Sequence, residues 1–322
     1  MERGAVSIAP PSSIRARADH NQPYAAERAE RAAAAHRAGR IAALVAAGLA
    51  LGKLAAGQLG HSMAITASAV DSLMDVFASS ANAVAIRLAL AEPDAEHPFG
   101  YAKIEALATA AQGLLIGSSG VYLLIEGIRR VLSPEPLRLA TLTLGSMAAS
   151  SLVTAVLVAY LTRVGKRTHS TALEADAIHY RTDIGANLAV LVGVAATYLT
   201  GIERIDGVLS LLVSGYVLAS ALGLLRVGVR GLLDQSAPSE RCSKLVRALD
   251  RLLEDGLILG YHDLRTRMAG QTMFVEIHIE LPGEMYLREA HDRGEYVRDR
   301  IVAADRDAQV FVHIDVERDE HA

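Results

Sequence analysis

Apolar residues come in long blocks along this chain. From Ile41 to Leu59 nearly every residue is Ala, Leu, Val or Gly. Five more stretches of the same texture follow, at about 62–90, 106–132, 138–162, 179–200 and 205–230. Most run to about 20 residues or more, the length that crosses a hydrocarbon core of about 30 Å. The pattern predicts six transmembrane helices with both chain ends on one side. After about Leu233 the texture becomes that of a soluble protein. Ser239–Glu254 has helical spacing, with Leu245, Leu249, Leu252 and Leu253 apolar. Asp263–Met268 reads as a short strand. Thr272–Leu281 alternates, with Phe274, Glu276, His278 and Glu280 on one face and Val275, Ile277 and Ile279 on the other, as in a half-buried strand. Tyr286–Ala304 reads as a charged helix, and Val310–Val316 alternates again. The order αββαβ predicts a small open sheet with two helices on one face. The expected organisation is an N-terminal extension over 1–40, disordered and then helical from about Ala25. An all-α six-helix transmembrane domain follows over 41–233, then an α+β domain over 234–322.

Bulk composition adds little to this reading. The 322 residues are 51% hydrophobic and 21% charged, with mean hydropathy +0.26. A net charge of −4 excludes a strongly basic nucleic-acid binder by bulk electrostatics. The single cysteine, Cys242, excludes an intramolecular disulfide and Cys-rich zinc or iron–sulfur sites. The first residues lack the apolar core of a signal peptide. Lys and Arg set the orientation. The extension carries Arg3, Arg15, Arg17, Arg28, Arg31, Arg37 and Arg40, and the link between spans four and five carries Arg163, Lys166, Arg167 and Arg181. The turn between spans one and two has none, while Arg129, Arg130 and Arg138 between spans three and four are a mild counter-signal. The balance places both termini in the cytoplasm.

Polar groups inside the spans are the informative ones. Asp71 and Asp75 lie four apart on one face of the second span, and His179 and Asp183 open the fifth with the same spacing. A charged Asp at a helix centre costs about 2.5–3.5 kcal/mol on insertion scales. Three carboxylates facing lipid would be very unfavourable, so the two pairs are expected to face each other across a packed bundle. Three carboxylates and one imidazole can then surround a divalent cation tetrahedrally, a geometry that suits Zn2+. A hydrogen-bonded packing network and a metal-free proton relay are the alternatives that spacing leaves open. Lys53, inside the first span, either snorkels outward or pairs with a carboxylate.

At these residues the chain resembles a family. Ala69–Asp75 (AVDSLMD) and Asp176–Asp183 (DAIHYRTD) are similar to the transport-site motifs of cation diffusion facilitators. The resemblance continues through His97–Glu105 (HPFGYAKIE), Gly231–Asp234 (GLLD) and His262–Arg267 (HDLRTR), in one order from about residue 38 onward. It points to the bacterial ferrous-iron and zinc efflux branch. It implies a homodimer in the bacterial cytoplasmic (inner) membrane. Such a dimer exports divalent metal in exchange for protons and carries a cytoplasmic metallochaperone-like domain. The transport site becomes Asp71, Asp75, His179 and Asp183. A histidine with three aspartates goes with zinc, cadmium or iron in the family, so Zn2+ is the expected cargo, with Fe2+ or Cd2+ as alternatives. A metal sensor or scaffold with the same fold but no flux is the rival class. No nucleophile–base–oxyanion arrangement is present, so no enzymatic chemistry is expected.

The resemblance also implies further sites. His262, His278, His291, His313 and Asp315 match a cytoplasmic binuclear site, where Zn2+ would act as a structural ion. A lone His on a strand is usually only a surface residue, and it is the matched set that points to metal. Asp94 and His97 match two ligands of a loop site. Tyr101 replaces the family's third ligand there, a histidine. A phenol with pKa about 10 is a poor zinc ligand near neutral pH, so a solvated loop with Asp94 at a helix start is the alternative. Lys103 and Asp234 match a structural charge pair at the membrane edge, the bland alternative being two solvated charges. The imidazole of His179 is the expected coupling group for protons, because free imidazole titrates near about 6.5.

Overall fold

The computed structural model describes residues 22–59, 63–91, 93–133, 141–202 and 204–317. Side chains over 63–71, Asp71 included, lie outside the described set, as does nearly all of the expected disordered start of the chain. Six long helices come first: α1 (Gln22–Leu59), α2 (Met63–Ala89), α3 (Ile104–Leu132), α4 (Thr141–Thr168), α5 (Thr171–Thr200) and α6 (Arg204–Leu232). The soluble part follows as α7 (Ser239–Glu254), β1 (Gly260–Ala269), β2 (Thr272–Leu281), α8 (Leu287–Ala304) and β3 (Ala308–Val316). Among the described residues five helices, α1 and α3 to α6, are long and apolar enough to cross a membrane. The 27-residue α2 packs against α1, α3 and α5.

One helix start differs clearly from the sequence reading. α5 begins at Thr171, two turns before the apolar run, because Ser170 caps it by accepting from the Leu173 amide at 3.4 Å. Its early residues Ala172, Leu173 and Ala175 to Ala177 are buried against neighbouring helices. The expected basic link between spans four and five therefore shrinks to His169 and Ser170. Arg163, Lys166 and Arg167 end α4, and Arg181 lies in α5, donating to Thr162 at 2.8 Å. α1 starts at Gln22, close to the helical lead expected from about Ala25, and runs unbroken because its Ala-, Glu- and Arg-rich lead favours helix as the apolar run does.

Helix packing sorts the bundle into two bodies. Ala35, Ala38 and Ala42 of α1, Ile86 of α2, Leu157 and Leu161 of α4, and Leu173 and Ala177 of α5 share one core. Ile116 of α3 and Val217, Ala221 and Leu224 of α6 form another, with Ala175 of α5 at the seam. The antiparallel α3 and α6 approach most closely where Gly228 meets Ala106 and Ala110, and where Gly207 meets Arg130 and Val131, with Gly113 against Ala221 and Leu225 between them. Small residues at such crossings let backbones touch where no hydrophobic effect drives helices together.

The soluble sheet has the order β1-β2-β3, with β1 antiparallel and β3 parallel to β2. Leu245, Leu249 and Leu252 of α7 and Val297 and Ile301 of α8 cover Val275, Ile277 and Ile279 of β2, so both helices lie on one face. The two halves of the chain meet at several points. Lys103 Nζ lies 2.9 Å from Asp234 Oδ1, which also pairs with Arg267 at 3.2 Å. Arg267 stacks over the Phe274 ring, with Phe99 edge-on to Phe274 at 5.9 Å. Arg31, near the start of α1, forms a two-pronged pair with Asp307 at 2.9 and 3.0 Å, and Glu27 accepts from Arg306 at 3.0 Å.

Candidate metal centres

The i,i+4 spacing on two neighbouring helices brings Asp75, His179 and Asp183 together inside the bundle. His179 Nε2 lies 3.2 Å from Asp75 Oδ1 and 3.8 Å from Asp183 Oδ2. One ligand atom from each falls within 4.8 Å of the others, a group able to hold a metal ion. The Asp183 Oδ2 atom is buried and has no hydrogen-bond partner. A buried carboxylate oxygen without a partner is unfavourable, and a cation at this point would satisfy it. The fourth expected ligand, Asp71, has its backbone one turn before Asp75 in α2, and its side chain lies outside the described residues. Lys53 donates to Ser72 Oγ at 2.8 Å, on the α2 turn that carries Asp71.

Sequence reasoning missed a second polar layer beside this one. Asp176, one turn before His179, is fully buried. It accepts from Asn82 and Ser79 of α2 and from Gln112 of α3. Its partners lie far away in sequence, and the only signal was an acidic residue at the edge of an apolar run.

In the soluble domain the ladder aligns the imidazoles. His262, His278 and His313 are direct register partners across β1, β2 and β3. Their rings follow one another at 5.1 and 4.6 Å between centroids. Asp315, two residues after His313, reaches all three, at 3.2 Å from His262 Nε2, 2.9 Å from His278 Nδ1 and 3.2 Å from His313 Nε2. The hydrogen bond from His278 holds the Asp315 carboxyl below the usual carboxylate range. Two groups able to hold metal share His278: His262, Asp263 and His278, and His278, His313 and Asp315. The ladder shifts register between His262 and Arg265, and Asp263 takes a left-handed φ of 50° in that irregularity. Asp263 thereby comes 3.6 Å from the His262 ring, and Glu280 lies 3.7 Å from it. These two carboxylates were not singled out from sequence, although Glu280 shares the strand face of His278. His291 is exposed on α8 and joins neither group. The imidazole and carboxylate donors fit a zinc ion's preferences.

The loop before α3 uses its polar groups differently. Asp94 Oδ1 accepts from the amides of Glu96 and His97 at 3.0 and 2.7 Å, and Oδ2 accepts from the Tyr101 hydroxyl at 2.7 Å. The Tyr101 bond, followed by that from the His97 amide, lowers the Asp94 pKa. His97 leans on Tyr101 at 4.2 Å between ring centroids. Both carboxylate oxygens thus staple the loop, and among the described residues no three-ligand group forms there. At the membrane edge, the Lys103 hydrogen bond lowers the Asp234 pKa.

Comparison with known proteins places this geometry. Residues 40–233 match the family of cation efflux transmembrane domains, and residues 243–317 match the cytoplasmic domain of cation efflux proteins. The cation-efflux pump FieF of Yersinia pestis (strain Pestoides F) is 35% identical over 265 residues, covering 81% of this chain and 87% of that one. FieF of Yersinia pseudotuberculosis serotype O:3 (strain YPIII) is similar to the same extent, at 35% over 265 residues. Among solved structures, the Zn form of a candidate zinc transporter, CzrB, is 28% identical over 26% of this chain and 93% of that chain, with a TM-score of 0.25. With both halves matched in order and a full-length relative at this identity, the chain belongs to the cation diffusion facilitator family, as a multi-pass membrane protein of divalent cation efflux.

Proposed function

We propose that this protein exports Zn2+ across the bacterial cytoplasmic membrane by proton antiport, through a site formed by Asp71, Asp75, His179 and Asp183. The observation that carries the reading is the convergence of Asp75, His179 and Asp183, together with a buried Asp183 Oδ2 that has no hydrogen-bond partner. Ligation requires the deprotonated side chains. Zn2+ therefore loads from the cytoplasm onto a deprotonated site. Helix rocking turns the site outward, and protons then compete for the imidazole and carboxylates until the metal leaves. Both termini and the soluble domain face the cytoplasm. His262, His278, His313 and Asp315, helped by Asp263 and Glu280, would hold structural Zn2+. A homodimer is supported by the open edge of β3, on which Phe311 is 54% exposed beside the imidazole row, an edge that a second copy would cover.

Everted vesicles with an acid interior and a trapped zinc dye test this directly. Zinc accumulates with the gradient and collapses when a protonophore is added. Equal accumulation with and without the gradient would end the antiport reading. Asp183→Ala abolishes flux while leaving the protein folded, and wild-type flux in that variant would remove Asp183 from the site. Parallel flux of Fe2+, Cd2+ and Mn2+ ranks the cargo.

A further inference from the structure

The buried polar layer around Asp176 is not needed to ligate metal, yet it lies against the transport site. Asp75 and Asn82 are seven residues apart on α2, and Asp183 and Asp176 are seven apart on α5. Two turns of helix, about 10 Å, separate each pair. Asp176 Oδ1 accepts from Asn82 Nδ2 at 3.0 Å and from Gln112 Nε2 at 3.2 Å. Ser79 Oγ reaches both carboxylate oxygens, at 3.2 and 3.1 Å, and lies 2.7 Å from the Tyr180 hydroxyl. Asn82 also donates to Gln112. One carboxylate thus gathers donors from α2 and α3 onto α5, and both ligand-bearing helices meet at it.

The layer continues towards the end of the bundle that carries the soluble domain. Thr109 and Glu105 follow Gln112 on the same face of α3. Glu105 Oε2 accepts from Ser170 at 3.3 Å and Thr171 at 3.5 Å, at the start of α5. Ser79, Thr109, Ser170 and Asp176 are all 0% exposed. By contrast, the Asp75, His179 and Asp183 side chains are 26%, 16% and 37% exposed. The metal-facing layer is thus partly accessible, and the layer on its soluble-domain side is closed. A buried carboxylate is tolerated only when its oxygens are hydrogen-bonded, so this arrangement persists while its partners stay in place. Asp176, Asn82 and Gln112 thus stand together on the soluble-domain side of Asp75 and His179.

We propose that Asp176 is a positioning residue that seals the soluble-domain side of the transport site by tying α2, α3 and α5 together, and that this side opens when its bonds to Ser79, Asn82 and Gln112 part. The inference rests on the transport-site reading of Asp75, His179 and Asp183. A cysteine reporter tests it in the full-length protein, in liposomes and without metal. Ile116→Cys, one turn beyond Gln112 on α3 and buried in the native protein, is placed in a Cys242→Ser background, and a membrane-impermeant maleimide is added on the soluble-domain side. Ile116→Cys alone labels slowly. Adding Asp176→Asn speeds labelling about tenfold or more, the factor expected for loss of a hydrogen bond to a charged group. Gln112→Met, which removes one donor and keeps the volume, moves labelling in the same direction. It decides the matter if Asp176→Asn fails to elute as folded protein. Zinc flux through Asp176→Asn shows a lower kcat with little change in KM. A raised KM at unchanged kcat would make Asp176 a metal contact and overturn the positioning role. Unchanged labelling in a folded variant would overturn the seal. Labelling is read without metal, so that result would leave the transport site standing, and the Asp183→Ala flux assay judges the site separately.

Discussion

Gly228→Ala is a sharp test of how α3 and α6 are held. Two effects of opposite sign compete. In a helix interior, replacing Gly by Ala is intrinsically favourable by about 1 kcal/mol. At position 228, however, a Cβ would lie 2.6 Å from the Ala110 amide nitrogen, 2.7 Å from the Ala110 Cβ and 2.8 Å from the Ala106 carbonyl oxygen. Two of these atoms are backbone, so no rotamer change relieves the clash, and the helices must separate by about 1 Å to restore ordinary contact. Overpacking of this kind costs about 1–3 kcal/mol, and set against the propensity gain it leaves a net loss of up to about 2 kcal/mol. Gly223 is the control on the same helix, since a Cβ there meets nothing within 4 Å. Gly223→Ala is expected to be neutral or stabilising by up to about 1 kcal/mol. Unfolding of both variants by SDS in mixed micelles reads the difference. Equal shifts of the same sign would refute the claim that close backbone approach fixes this helix pair.

Other outcomes follow from the sites. His179→Asp makes an all-oxygen site, and relative flux should move from Zn2+ towards Mn2+; an unchanged rank order would argue against direct ligation by His179. Asp315→Asn removes the carboxylate that reaches three imidazoles. Calorimetry on full-length protein carrying Asp183→Ala should then show zinc binding weakened about 10–100-fold, and unchanged affinity would exclude Asp315 as a ligand. Asp234→Asn tests the junction. The two side chains of its pair with Lys103 are 40% and 46% exposed, so solvent screening holds the effect below about 1 kcal/mol. A depressed carboxylate pKa means stabilisation that is present above the ordinary value of 3.8 and lost as pH falls through the lowered one. The melting difference from wild type should therefore shrink with salt and vanish in strong acid; persistence there would assign it to packing.

Length and apolarity made the membrane bundle legible, and strand alternation did the same for the soluble sheet. The start of α5 was hidden because Glu174 and Asp176 break the apolar run, and the groups that make a buried Asp176 tolerable sit on α2 and α3, about 64 to 97 residues away. No linear pattern announces such partners. Spacing put Asp183 and His179 on one helix face, and the cost of carboxylates facing lipid pointed that face at Asp75. The row of His262, His278 and His313 needed the parallel pairing of β3 with β2, which alternation cannot specify. Tyr101 was weighed as a poor metal ligand, and its bond to Asp94 turns the expected loop ligand into a staple. Asp263 escaped notice because its place depends on a register shift within β1.

The unbroken α1 acts as a lever. Its 38 residues make a rod about 57 Å long. Arg31, on the soluble-domain side, lies about 33 Å along the axis from Lys53. If the rod pivots about 5° near Lys53, its Arg31 end swings by about 3 Å, by simple trigonometry on that length. That is as large as the two-pronged contact distances to Asp307 of 2.9 and 3.0 Å. The loop carrying Asp307 leads straight into β3, the strand of His313 and Asp315. Any tilt of the first span therefore either drags that strand with it or breaks the Arg31 clasp, and the imidazole row and the membrane helices cannot move independently while the clasp holds.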